Sequence, residues 1–210
     1  MRIRFFDGNI GIWPFVEKSV AQRTSKKSPK GTIVTTPQSV DADVYKNVII
    51  NNVIPAIQDR FPKGGCPGGV FVQQDNASPH KAMTTDLLRG HGVMNISMAN
   101  QLANSPDFNV LDLGFFNAIQ SLQQKKQSKS IDDLISVVEA SFYELPAASL
   151  GKNFVTLQKV MELAMQDGGG NNYKLPHMRK DAIIKDMASF NVKCDPLIHA
   201  SASSQLNCLT

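Results

Sequence analysis

The run Val70-Phe71-Val72-Gln73-Gln74-Asp75-Asn76-Ala77-Ser78-Pro79-His80 opens on β-branched and aromatic residues and breaks at an Asp-Asn pair. The glycine- and proline-rich segment Pro62 to Gly69 precedes it, so the pattern predicts a short strand over 70–74 that stops at Asp75. This is the best candidate for a central strand. Downstream, Lys81 to Arg89 reads as a short helix closed by Gly90, Val93 to Met98 as a second strand, and Asn104-Ser105-Pro106-Asp107 as a break. A new helix is predicted from near Asp112, with Phe115, Phe116, Ile119 and Leu122 on its apolar face. Strands interleaved with helices make the expected fold class α/β.

Upstream, a helix is predicted from Ser39-Val40-Asp41-Ala42-Asp43 through Tyr45, Ile49, Ile54 and Ile57, with Ser39 as its cap and Pro55 as a kink. Ile3 to Phe6 and Ile10 to Val16 flank Asp7-Gly8-Asn9, which is a hairpin signal. Lys18, Arg23, Lys26, Lys27 and Lys30 have no acidic residue among them, so 18–30 reads as an extended, solvated, basic loop. From Ser130 to Gln166 the apolar spacing is helical again, and Gly168-Gly169-Gly170 then introduces a polar, poorly patterned tail. The expected organisation is a domain over 1–127, a helical extension over 128–167 and a tail over 168–210.

A chain of 210 residues with 42% hydrophobic and 19% charged residues is long and apolar enough to bury one good core, which excludes intrinsic disorder. The net charge of +4 is a weak sign of a polyanionic partner until it is located, and the basic loop accounts for most of it. Cys66, Cys194 and Cys208 are far apart and odd in number, so neither a disulfide framework nor a zinc site is expected, and a reducing intracellular compartment is the plain reading. Neither a membrane span nor a signal-peptide core is visible.

A carboxylate at the carboxyl end of a strand in an α/β fold stands where ligands usually bind, and Asp75 has that address. Asp112, at the start of the helix after the next strand, is the second acid of interest. Two such acids suit Mg²⁺ or Mn²⁺, which take hard oxygen ligands and promote in-line phosphoryl displacement. On spacing alone, an aspartate after a strand is as readily a turn former and one at a helix start a cap.

The words around the two acids add to this. Residues 72–80 resemble the "QQDNAxPH" signature around the second acid of mariner-type DNA transposases of the Tc/mariner superfamily. Asn104-Ser105-Pro106-Asp107-Phe108-Asn109-Val110-Leu111-Asp112-Leu113-Gly114-Phe115-Phe116 looks like their "NSPDLNxLDLGFF" signature, closest to the plant and oomycete branch. Phe6 to Phe15, the Gln22-Arg23-Thr24-Ser25-Lys26 run and Tyr173 to Met178 agree with it, so the likeness spans residues 5 to about 180. Ser78 and Gln101-Leu102-Ala103 depart from the pattern.

The resemblance implies an RNase H-like fold with a helical carboxy-terminal extension, and metal-dependent DNA strand cleavage and transfer in the nucleus. Asp75 and Asp112 map to catalytic, metal-holding positions for Mg²⁺ or Mn²⁺, while Asp107 maps to a non-catalytic place in the turn. Arg23, Lys26, Lys27 and Lys30 are the expected DNA contacts, and DNA and full-length transposase, as a homo-oligomer, are the expected partners. The family's first catalytic aspartate lies on a strand upstream of the opening hairpin; the sequence contains neither that strand nor the end-recognising helix-turn-helix region, so the fold is expected to be incomplete and the chain inactive alone. The alternative is a non-catalytic remnant that binds nucleic acid or a transposase. His80 reads as a minor ligand-orienting or capping residue, and Trp13 as core.

Overall fold

The computed structural model describes residues 6, 8–25, 28–62, 68–180 and 192–208. The chain is a mixed α/β protein in which helix predominates and the described strands form two small sheets. It divides into two compact units, the first comprising 1–101 and 123–143, the second 102–122 and 144–210.

The first unit contains both sheets. Strand β3, Val70–Gln74, pairs in parallel with β4, Ile96–Asn100, in the register Val70↔Ile96 to Gln74↔Asn100. Parallel pairing requires a crossover, supplied by a 3₁₀ turn at Ser78–Ala82 and helix α3, Thr85–Gly90, capped by the Thr84 side chain. The strand at 70–74 ends where expected, and the strand expected at 93–98 lies three residues later at its start. Among the described residues β3 pairs with β4 alone, so it is not the centre of a larger sheet. Alternation turns Val70, Val72 and Gln74 inward and leaves Phe71 68% exposed.

The helical segment behind this sheet is α1, Ala42–Val48, a π-helical stretch at Ile49–Val53, and α2, Ile54–Arg60. Its cap is Asp41 rather than Ser39: Asp41 Oδ1 accepts from the amides of Asp43 and Val44 at 3.0 and 2.8 Å. Pro55 has no amide hydrogen, and in a regular α-helix its ring would press on the carbonyl four residues earlier, at Asn51; the widened π turn that contains Asn51 stands directly before it. Ile49, Ile54 and Ile57 then meet Met83, Leu88 and Ile96 in one buried cluster, with Tyr45, Val70, Val72 and Met98 against it.

The antiparallel hairpin is not the expected one. Strands β1, Val16–Val20, and β2, Ile33–Pro37, pair from Val16↔Pro37 to Val20↔Ile33, while 8–15 form no strand; Ile3–Phe5 and Asp7 lie outside the described residues. Both hairpin faces are largely solvated, so no apolar alternation marks β1. Its hold is polar: Lys18 bonds Thr35 and reaches Asp132 at 3.1 Å, and Thr35 also donates to Asp132, on helix α5, Ile131–Glu144. The described residues between 21 and 32 belong to a loop closed by its own bonds rather than to extended chain: the Ala21 amide donates to Thr32 O, Gly31 to Ala21 O, and Lys30 to Thr24 Oγ1.

In the second unit, a π-helical turn at Leu111–Phe115 leads into α4, Phe116–Gln123. Phe115 and Ile119 are buried, but Phe116, expected on the same face, is 52% exposed; the backbone leaves the helical conformation at Gly114 (φ 168°, ψ −14°), so the turn and α4 meet at a kink. Helix α6, Ala147–Gln166, buries Val155, Val160 and Ala164 and packs against the π turn and against α7, Pro196–Asn207. The tail therefore carries a helix. It is anchored by polar contacts: Asp195 caps α7 through Leu197 N, while its own amide donates to Glu162 Oε1, a carboxylate paired with Lys159. Such anchorage leaves no periodic apolar signal. Among the described residues, no helix is long and apolar enough to cross a membrane.

Leu88→Ala, at a fully buried position, is expected to cost about 2–5 kcal/mol in urea unfolding. In the second unit, the Lys159 ammonium, and then the Asp195 amide, hold the Glu162 carboxyl below its ordinary range. A depressed folded value means that this stabilisation is complete above the unfolded pKa and disappears as pH falls through the folded one. Protection factors of the α7 amides, exchange rates taken relative to the intrinsic rate at each pH, should therefore fall on acidification, and Glu162→Gln should abolish that acid-dependent step.

Candidate functional site

Gln74 carries the geometry at the end of β3. Its side chain is buried, as the alternation with Val70 and Val72 requires, and a buried amide must find partners. Nε2 has three acceptors in reach: His80 O at 3.0 Å, Met83 O at 3.2 Å and Asn100 Oδ1 at 2.9 Å. Oε1 accepts from the Tyr45 hydroxyl at 3.2 Å. One side chain thus ties β3 to α1, the 3₁₀ turn and the end of β4. The Tyr45 ring lies 4.0 Å from the His80 ring, tilted by 30°.

Asp75 follows immediately and, because side chains alternate, is directed out to solvent, its carboxylate 55% exposed. Oδ1 accepts from the Ala77 amide at 2.9 Å, an Asx turn that bends the chain out of the strand. His80 Nδ1 touches the same oxygen. The neighbouring Asn76 donates from Nδ2 to Gln101 O at 2.9 Å, closing the loop after β4 against the turn after β3. Burial, and then the charge of Asp75, raise the Tyr45 phenol above its ordinary pKa, so Tyr45 stays a neutral donor to Gln74.

Asp112 belongs to the second unit. Asn109 starts its turn: its Oδ1 accepts from Leu111 N at 3.0 Å, and its carbonyl from the amides of Asp112 and Leu113 at 3.1 Å. The Asp112 side chain is exposed in the first turn of the π segment. A Cβ on Gly114 would sit 2.6 Å from Asn153 Oδ1, so α6 lays a side-chain amide against this turn that a larger residue would displace. Asp107 is in a different setting, beside a groove of about 870 Å³ that is also lined by Phe108, Met161, Met165 and Tyr173. The Tyr173 phenol is raised first by burial and then by Asp107.

Of the basic residues, Arg23 and Lys30 are exposed on the 21–32 loop, and Lys26 and Lys27 lie outside the described residues. Lys18 is engaged with Thr35 and Asp132 and is a structural residue of the hairpin. Trp13 is half-buried, and its ring stands where a Cβ on Gly11 would be. Gln74 and Tyr45 are site residues that motif reading passes over, although the inward phase of Gln74 in β3 is a usable signal. Among the described residues, no three His, Cys, Asp or Glu side chains form a metal-holding group.

Comparison with known proteins gives no match: neither a family model, nor a curated protein, nor a solved structure matches the chain.

Gln74→Leu keeps the side chain buried but takes their Gln74 donor from Met83 O and Asn100 Oδ1, while His80 O keeps the Met83 amide. The expected loss is about 1–3 kcal/mol by urea titration, with faster exchange of the Gln101 amide, which is bonded to Gln74 O.

Proposed function

We propose that the chain is a catalytic-core piece of a mariner-type DNA transposase with an RNase H-like fold, in which Asp75 and Asp112 are two of the metal-holding carboxylates. The observation that carries the reading is the position of Asp75 at the carboxyl end of a parallel strand, with one oxygen fixed by the turn and the side chain more than half exposed. The two motif resemblances, around Asp75 and Asp112, support it.

The donor type suits Mg²⁺ or Mn²⁺, because a carboxylate is a hard ligand and cations of this kind retain waters beside one or two such groups; the remaining ligands are not supplied by a cluster of His, Cys, Asp or Glu among the described residues. When bound, the metal would activate the attacking oxygen and stabilise the leaving one in a phosphodiester displacement. The chain's own residues supply placement. Ala77 N holds one oxygen of Asp75, Asn109 sets the turn that presents Asp112, and exposed Arg23 and Lys30 meet phosphate. The substrate is chromosomal DNA, which makes the nucleus the place of action and transposase copies the partners.

Mn²⁺ titration followed by NMR tests this reading. The amide signals around Asp75 and Asp112 are expected to broaden first, and Asp75→Ala should remove the broadening around residue 75; broadening elsewhere only, or broadening indifferent to that change, contradicts it.

A second reading, a non-catalytic nucleic-acid-binding remnant, draws on the internally bonded loop that presents Arg23 and Lys30. It predicts DNA binding indifferent to Asp75→Ala and Asp112→Ala. In either reading, neutralising Arg23 and Lys30 together should lower the slope of log affinity against log salt by about 0.9 for each phosphate that the loop no longer neutralises. An unchanged slope would remove this loop from the DNA interface.

A further inference from the structure

We propose that the groove beside Asp107 is a binding site for an organic cation with an apolar body, its charged end at the Asp107 carboxylate and its body against Met161 and Met165. The inference does not rest on the metal reading of Asp75, because every residue that lines the groove belongs to the second unit.

The hollow follows from residue size. The end of α6, the later part of α7 and the segment before the 3₁₀ turn at Pro106–Phe108 contribute Ala164, Ala202 and Ala103, and the turn after α6 is Gly168-Gly169-Gly170. Side chains this small leave about 870 Å³ between the elements, inside the span of roughly 300–1,000 Å³ typical of sites for small organic molecules. The larger apolar residues of the lining remain in water: Leu102, Leu206 and Met161 are 66%, 64% and 41% exposed. Adjoining apolar side chains left open in this way mark a surface that another molecule covers. Methionine suits such a wall, since its flexible thioether fits irregular shapes and makes favourable contacts with aromatic rings.

Charge decides the class of ligand. Asp107 is exposed and is the one carboxylate in the lining, which contains no Lys, Arg or His. The glycine turn offers no amide to an anion, because its N–H groups close the end of α6. Gly168 N donates to Met165 O at 3.2 Å, Gly169 N to Ala164 O at 2.8 Å and Gly170 N to Asp167 O at 3.2 Å. Burial, and then Asp107 and Asp167, raise the Tyr173 phenol above its ordinary value, so two carboxylates act on that end of the groove and the phenol between them stays neutral. A cation seated there gains attraction, whereas an anion of the same shape is repelled.

The test titrates the full chain, isotopically labelled, with three probes that share one body: phenylbutylamine, phenylbutanol and phenylbutyrate, which at neutral pH are a cation, a neutral molecule and an anion. Amide shifts over 102–108, 161–173 and 202–206 report binding. The amine is expected to bind about 5-fold more tightly than the alcohol, as an exposed charge pair allows, although the alcohol is the more hydrophobic. The carboxylate should bind most weakly. Asp107→Asn should lower the amine to the level of the alcohol and leave the alcohol unchanged, and Ala202→Trp, which fills the hollow, should remove both. Asp75→Ala should alter none of these affinities. Equal affinity for amine and alcohol, an amine preference that survives Asp107→Asn, or shifts confined to other residues would overturn the assignment.

Discussion

A glutamine amide buried at the end of a strand has two hydrogens and an oxygen that water cannot reach, and the first unit is organised around satisfying them. Gln74 occupies the last inward position of β3, and its partners come from α1, the 3₁₀ turn, the loop before α3 and the end of β4. Each of those segments is separately weak. A two-stranded parallel sheet has little intrinsic stability, the 3₁₀ turn is short, and Tyr45 packs only at the margin of the isoleucine cluster. The amide makes them one object, and the apolar cluster of Ile49, Ile54, Ile57, Met83, Leu88 and Ile96 supplies the burial that keeps water from competing for it.

The chemistry of Asp75 is a consequence of this arrangement. A strand that places Gln74 inward places its successor outward, so the buried amide and the solvent-facing carboxylate are adjacent faces of one pleat. The Asx turn through Ala77 then returns the chain beneath the carboxylate, and the Gln74 bond to the His80 carbonyl brings the imidazole to Oδ1. Asp112 is placed by other means in the other unit, through the Asn109 turn and the close crossing of α6 over Gly114. Both acids stand on turns whose backbones are held by amide side chains. That is a rigid way to present a charged group while leaving it in water.

What could be read in advance follows from where apolar burial acts. β3, the end of α3 at Gly90, the start of the turn at Asp112 and the helices between 131 and 166 are marked by apolar periodicity or by glycine, and they appear where the sequence indicates. The β1–β2 hairpin and α7 are not marked, since Lys18, Thr35 and Asp132 hold one, and Glu162 and Asp195 the other, through bonds between residues distant in sequence. The π turn at Ile49–Val53 and the kink at Gly114 are likewise illegible, and Phe116, just after that kink, is exposed rather than on the apolar face. Asp75 and Asp112 are legible as residues because their surrounding words are distinctive. The roles of Gln74 and Tyr45 are not, because neither is unusual until the phase of β3 shows that an amide points inward.

The most direct measurement is anomalous diffraction from crystals of the full chain soaked in Mn²⁺. The account predicts an anomalous peak within bonding distance of the Asp75 carboxylate, with Ala77 N still on Oδ1. Peaks elsewhere only, or none within bonding distance of Asp75, would contradict it.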